Sequence, residues 1–147
     1  LFHYTTLFRS LGMKKRWFGA GYWNGFGGKV MPGETTQEGA IREIKEETNL
    51  DVISIKKHGI INFKFVGDPI LLEGHIFSSC LFTGEPVETE EMNPKWFSLE
   101  NIPYHQMWPG DSYWIPLLLK DEQFNGDFLF SGNELVSHFI EIVKNSS

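Results

Sequence analysis

Apolar and polar positions alternate over much of this chain, and only a few stretches depart from that two-residue rhythm. "DVISIKKHGIINFKFVG" alternates in two pieces, as strands with one buried face do. "HIFSSCLFTGEPV" continues as a strand ending in a Gly-Glu-Pro turn, and "KWFSL" as a shorter one. "LGMKKRW" reads as a strand end and "GAGYWNGFGGKV" as a glycine-rich strand and turn region. Residues 36–48 switch to a helical period, with Ala40, Ile41 and Ile44 on one side. Thr35 and Glu38 form the T-x-x-E pattern of a capping box at its start. "DSYWIPLLLK" predicts a short helix entered at Asp111 or Ser112 and limited by Pro116. "FNGDFLF" predicts a strand with a bulge, or a tight hairpin at Asn125-Gly126. In "NELVSHFIEIVK", Leu135, Phe139, Ile142 and Val143 fall at helical spacing, so the chain is expected to end in an amphipathic helix. Together these elements predict an α/β domain of the α+β type, with a largely β core and a few helices.

Residues 1–10 stand apart. Phe2, Tyr4, Thr6 and Phe8 alternate as a strand would, yet "LFHYTTLFRS" resembles the in-frame translation of a sequencing-library adapter. The expectation is an artefact that replaces the native first strand, with residues 11–147 as a single domain.

Composition narrows the partners. The chain has 147 residues, 41% of them hydrophobic and 22% charged, the balance of a soluble domain able to bury a core. No apolar run approaches the roughly 20 residues of a membrane span, and the start lacks the basic-then-apolar form of a signal peptide. Cys80 is the lone cysteine, so an internal disulfide is impossible and a cytoplasmic monomer is expected. A net charge of −6 argues against nucleic acid as the main ligand, which requires a basic face. An acidic chain binds phosphates when cations stand between them. Aromatic residues reach 15%, several of them in polar, Gly/Pro-rich surroundings where a flat ligand can stack.

The helix over 36–48 carries the chemistry. Glu43, Glu46 and Glu47 stand at i, i+3 and i+4 and share a face. Like charges at this spacing repel, and no lysine is interspersed on that side. Oxygen ligands converging on one spot suit Mg²⁺ or Mn²⁺. Gly28, Pro32 and Gly33 shape a turn that brings Glu34 toward the same face. Arg42 is placed to orient these carboxylates by ion pairing.

Gly28, Glu34, Arg42, Glu43, Ile44, Glu46, Glu47 and Leu50 match the Nudix signature G-x5-E-x7-R-E-U-x-E-E-x-G-U, where U is aliphatic. The chain is therefore identified as resembling Nudix hydrolases, with Asn49 where the family has glycine. That position follows the helix end and calls for a left-handed backbone, which asparagine tolerates. The resemblance implies the Nudix fold, a mixed central sheet packed between helices. It also implies a metal-dependent hydrolase whose small-molecule substrate is a nucleoside diphosphate linked to another group.

A longer similarity, over "GMKKRWFGAGYWNGFGGKV", "FKFVGDP", "EEMNPKWF", "NIPYHQMWPGDSYWIPLLL" and "FNGDFLF", points within that family to the oxidised-purine nucleoside triphosphatases, the 8-oxo-dGTP diphosphatases that sanitise the nucleotide pool. It implies Glu34, Arg42, Glu43, Glu46, Glu47 and Glu91 as catalytic residues. The metal would be held by Glu43, Glu46, Glu47, Glu91 and the Gly27 carbonyl. Lys14 and the backbone of Phe26, Gly27, Gly28 and Lys29 fall on the phosphate side. Asn24, Phe63, Leu72, Trp108 and Asp111 would line the base pocket, with Pro109 and Gly110 in the same loop. Asn24 offers both a donor and an acceptor to a purine edge, and Trp108 a stacking face. Asp111 can accept from the two N–H groups of a guanine edge; it is also well placed to cap the helix that follows.

One departure bears on specificity. The family has two consecutive acids after Trp-Pro, and here they read Gly110-Asp111. A single ionised acid suits guanine, whereas the adenine edge presents an acceptor and needs a proton there. The expectation is a site narrowed toward 8-oxoguanine nucleotides. Rival readings are a Nudix pyrophosphatase for ADP-ribose, a dinucleoside polyphosphate or capped RNA, and a non-catalytic nucleotide-binding Nudix module. The intact set of signature glutamates speaks against the module.

Overall fold

Thr36–Thr48 is a helix, α1, and both of its ends follow from the local sequence. Thr35 Oγ1 accepts from the Glu38 N–H, and the Glu38 carboxylate accepts from the Thr35 N–H, closing the capping box. Asn49 takes the left-handed conformation with φ of 65° and donates its N–H to the Lys45 carbonyl, ending the helix. The computed structural model describes residues 2–4, 8–14, 21–90 and 92–144, giving the backbone alone for 2–4, 8–14 and 80. Its strands are β1 (Phe2–Tyr4), β2 (Phe8–Lys14), β3 (Trp23–Asn24), β4 (Asp51–Phe65), β5 (Leu71–Thr83), β6 (Met92–Ser98), β7 (Phe124–Ser131) and β8 (Glu134–Ile142), and the second helix is α2 (Asp111–Leu119).

The chain forms two compact units, one of residues 1–56 and 77–107, the other of residues 57–76 and 108–147. In the first unit the strand order is β3-β2-β1-β5, and β6 also pairs with β2. β1 runs antiparallel to β2 and parallel to β5, with Phe2 opposite Ser78. β2 and β6 pair antiparallel from Phe8 opposite Ser98 to Lys14 opposite Met92. Part of the segment resembling an adapter sequence thus lies in strands. Phe26, Ile44, Leu50 and Met92 form the buried core of this unit, with Val52 and Phe82 packed against it. Ile44 is the residue through which α1 enters that core; Glu47, one turn on, is buried beside it, and Glu46 is exposed.

In the second unit β4, β7 and β8 are consecutive. β4 and β7 are parallel, with Ile61 opposite Gly126 and Phe65 opposite Phe130. Ile61, Trp114, Ile115, Leu118, Phe124, Phe128 and Phe130 are its buried apolar residues. α2 keeps Pro116 inside it. The proline gives up one helical hydrogen bond, and the helix ends three residues later.

Three sequence expectations change. The two alternating pieces over 51–67 merge into the one strand β4, passing through His58 and Gly59 without a turn. Asn125-Gly126 makes no hairpin; β7 runs through it, and its irregularity in pairing with β8 falls between Leu129 and Phe130. The final amphipathic helix is instead β8, antiparallel to β7 from Phe124 opposite Ile142 to Ser131 opposite Glu134. A two-residue turn joins them, with Gly132 at φ of +57°, the conformation that type II′ hairpins reserve for a glycine at this position.

Candidate functional site

The loop before α1 folds back on the helix through its own carboxylate. Met31, Pro32, Gly33 and Glu34 form a turn closed by the Glu34 N–H on the Met31 carbonyl at 3.2 Å, with Gly33 at φ of +85°. This is the Pro-then-Gly order of a type II turn. Glu34 then accepts from the Met31 N–H at 2.7 Å, so the side chain staples its own turn.

Arg42 collects the acids. Its Nε donates to both Glu34 oxygens at 3.2 and 3.1 Å, and its Nη2 to Glu34 Oε1 at 2.7 Å. Nη1 donates to Glu43 Oε1 at 2.8 Å and to Glu46 Oε2 at 3.2 Å, while Nη2 also reaches the Lys29 carbonyl at 2.9 Å. A guanidinium's planar fork presents five donors in fixed directions, where a lysine ammonium has three around a single point. The Arg42 hydrogen bonds, followed by that from Met31, hold the Glu34 carboxyl below the usual carboxylate range. Reciprocally, Glu34 and Glu43 raise the affinity of Arg42 for its proton.

Glu43, Glu46 and Glu47 share a helix face but not a partner. Glu43 and Glu46 turn to Arg42, whereas Glu47, 3% exposed, accepts the Gly27 N–H at 2.8 Å. The sequence reading has these acids converging on one spot; here Arg42 and the Gly27 amide relieve their repulsion separately. Among the described residues no three His, Cys, Asp or Glu side chains are gathered tightly enough to hold a metal. The donor set fits a hard divalent cation in kind, being carboxylate oxygens on successive turns of one helix. Gly28 leaves room for the Glu43 side chain: a Cβ there would lie 2.5 Å from its carboxyl carbon. Lys45 points elsewhere, to Asp51 at 3.1 Å.

The residues of the first unit otherwise divide as follows. Phe26 is fully buried in the core. Asn24 is half-buried, and its side-chain amide donates to the Tyr22 carbonyl at 2.8 Å. Glu91 and the side chain of Lys14 lie outside the described residues. The segment before Glu91 is tied to α1, with Thr89 Oγ1 donating to the Glu47 carbonyl at 3.0 Å.

In the second unit Trp108, Pro109, Gly110 and Asp111 lead into α2. Trp108 is half-buried and meets Phe130 edge-on, the ring centroids 5.9 Å apart. Phe63 lies beside the same cluster, 6.0 Å from Phe128 and 6.4 Å from Phe130. Leu72, on β5, is exposed. Gly110 caps the helix with φ of +101°, and a Cβ there would lie 3.0 Å from Phe128 Cδ1. Asp111 is therefore the first residue inside the helix rather than its cap. Its Oδ1 accepts the Trp114 indole N–H at 3.2 Å. Burial pushes the Asp111 carboxyl up to about 7, although that indole and a backbone hydrogen bond at Trp108 both pull it down. The sequence reading missed Trp114, whose signal is the i, i+3 spacing from an acid at a helix start.

Comparison with known proteins identifies the family. The NUDIX domain family matches residues 9–118. The chain is 54% identical over 126 residues to the oxidized purine nucleoside triphosphate hydrolase of Mus musculus, covering 86% of this chain and 81% of the mouse protein. Against the Danio rerio protein of the same name it is 48% identical over 135 residues, covering 91% and 86%. Its fold is similar to the crystal structure of the mutator MutT protein from Bacillus halodurans, at a TM-score of 0.86 and 24% identity, covering 95% of this chain and 94% of that one. Arg42 and the acids it gathers thus sit in a match that runs from β2 to α2, and the chain belongs to the Nudix hydrolases, a family of metal-dependent pyrophosphatases.

Proposed function

We propose that this chain hydrolyses oxidised purine nucleoside triphosphates, 8-oxo-dGTP foremost, to the monophosphate and pyrophosphate. The observation that carries the substrate class is the 54% identity to a relative bearing that name, across most of both chains. The enzyme acts as a cytoplasmic monomer that clears damaged nucleotides. Mg²⁺, or Mn²⁺ in its place, supplies charge neutralisation on the phosphates and an activated water. Glu43, Glu46, Glu47, Glu91 and the Gly27 carbonyl would hold that ion, and attack would fall within the α–β phosphate linkage. Lys14 and the backbone from Phe26 to Lys29 hold the phosphates.

Glu34 is a poor general base, because its hydrogen bonds from Arg42 favour the ionised form and weaken its pull on a proton. Its work is to hold Arg42, and Arg42 aligns Glu43 and Glu46. The base is therefore sought among Glu43 and Glu91.

Phe63, Leu72, Trp108 and Asp111, all in the second unit, read the base. With glycine at 110, one acid serves the Watson–Crick edge: ionised, it accepts from guanine; protonated, it donates to an adenine-type edge. The test is pyrophosphate release from 8-oxo-dGTP, 2-hydroxy-dATP, dGTP and ADP-ribose with Mg²⁺. We expect the highest kcat/KM for 8-oxo-dGTP, with its lead over 2-hydroxy-dATP widening as pH rises from 6 to 8. Turnover of ADP-ribose above all the triphosphates overturns the proposal.

A further inference from the structure

Asp111 and Trp114 form a pair that the reaction chemistry does not require. Trp114 is only 5% exposed, and its ring lies 6.3 Å from that of the fully buried Phe124, tilted by 38°. The indole is thereby fixed in the core with its one polar atom directed at Asp111 Oδ1. An indole N–H donates and never accepts. Oδ1 is therefore committed as an acceptor whether or not the acid carries a proton, and a proton on this carboxyl resides on Oδ2; the backbone hydrogen bond at Trp108 is the carboxylate's second tie within the chain.

We propose that Trp114 is a positioning residue for base recognition: it holds Oδ1 of Asp111, so that the acid meets the purine edge through Oδ2 alone. This rests on the reading that Asp111 recognises the base. It makes Oδ2 a two-way contact, accepting when ionised and donating when protonated, with its direction set from inside the helix. Gly110 adds to the pairing. Its φ of +101° turns the chain so that Asp111 starts the helix, and Trp114 follows one turn later on the same side. His138 is a second titratable group around α2, stacked on Tyr113 at 4.0 Å and on Phe128 at 5.6 Å.

The experiment uses the full chain with Trp114→Phe, which keeps an aromatic ring against Phe124 and removes the donor. For 8-oxo-dGTP we expect KM to rise about tenfold, the effect falling on KM more than on kcat. The acid limb of kcat/KM should move up by about one pH unit, because a donor to the carboxylate favours its ionised form. The Asp111 side-chain carbon, followed by NMR without nucleotide, should show its midpoint move the same way. A folded variant with KM, limb and midpoint all unmoved overturns the inference and leaves Trp114 as packing.

If Trp114→Phe does not fold, the wild-type protein decides. Its Trp114 indole N–H resonance should titrate with the Asp111 carboxyl and stop doing so in Asp111→Asn; an indole resonance indifferent to that proton overturns the pairing. Asp111→Asn with an unchanged KM for 8-oxo-dGTP instead overturns the reading of Asp111 as the base contact, whatever the NMR midpoint shows.

Discussion

Two carboxylates in this chain are tuned in opposite directions, and the residues beside them explain why. Glu34 is surrounded by donors, with Arg42 and the Met31 amide favouring its charge. Asp111 is driven the other way by burial, with the Trp114 indole offsetting only part of the effect. Asp111 therefore has a predictable mark on stability. Its carboxyl ionises near 3.8 in the unfolded chain and at about 7 in the folded one. Between these values the folded state binds the extra proton, so this group's contribution to stability declines as pH rises through that window. Above about 7 it declines no further. Asp111→Asn removes the titration. Urea unfolding of the two proteins at a series of pH values should show Asp111→Asn gaining on the wild type from pH 4.5 to 7.5, by on the order of a few kcal/mol at most. A constant difference across that range contradicts the assignment. The acids of α1 were legible in the sequence by spacing alone. Arg42 was expected as their partner, but the separate tie of Glu47 to the Gly27 amide was not, because spacing gives the face a side chain shares and not the hydrogen bond it selects.

The elements differ in how much they disclosed. α1 was readable at both ends because capping chemistry is local: Thr35 and Glu38 satisfy each other's backbone, and Asn49 accepts the left-handed turn. Thr35→Ala removes the Oγ1 acceptor at the helix start. We expect it to lower unfolding free energy by about 1 kcal/mol with little change in the urea m-value. A loss near zero would mean that the packing of Ile44, rather than the cap, holds the first turn. β8 was misread for an equally physical reason. Leu135, Phe139, Ile142 and Val143 satisfy a helical period, yet Val136 and Phe139 remain exposed on a strand. What decides between the two is Gly132-Asn133, a two-residue turn signal lying between β7 and β8. Periodicity over a dozen residues is weaker evidence than a turn that pairs its flanks. β4 teaches the complementary point, since the two alternating pieces read over 51–67 belong to one continuous strand.

At the scale of the whole molecule, an acidic chain of net charge −6 has to hold a phosphate substrate, and it concentrates its signature acids on one helix. The fold class and the family were legible because the signature is short-range, and Gly28, Arg42 and four glutamates stand at its spacings here. The partition into two units was not, because β4 and β5 each contribute residues to both, and sequence rhythm does not mark where a strand passes from one to the other. The carboxylates of α1 carry a consequence for the protein as a whole. Glu34, Glu43 and Glu46 are met by Arg42, and Glu47 by the Gly27 amide, so each carboxylate has a hydrogen-bond donor within the chain. This differs from structural zinc sites, where the unpaired ligands leave the apo chain unfolded. Metal removal should therefore abolish catalysis and spare the fold. We expect a chelator to stop pyrophosphate release while far-UV circular dichroism is retained and Tm falls by no more than a few degrees. Restoring Mg²⁺ should restore turnover without a refolding step, and adding nucleotide with it should raise Tm by mass action as the folded state is bound. A chelated protein that loses its secondary structure would show that the metal, and not Arg42, holds the face of α1 together.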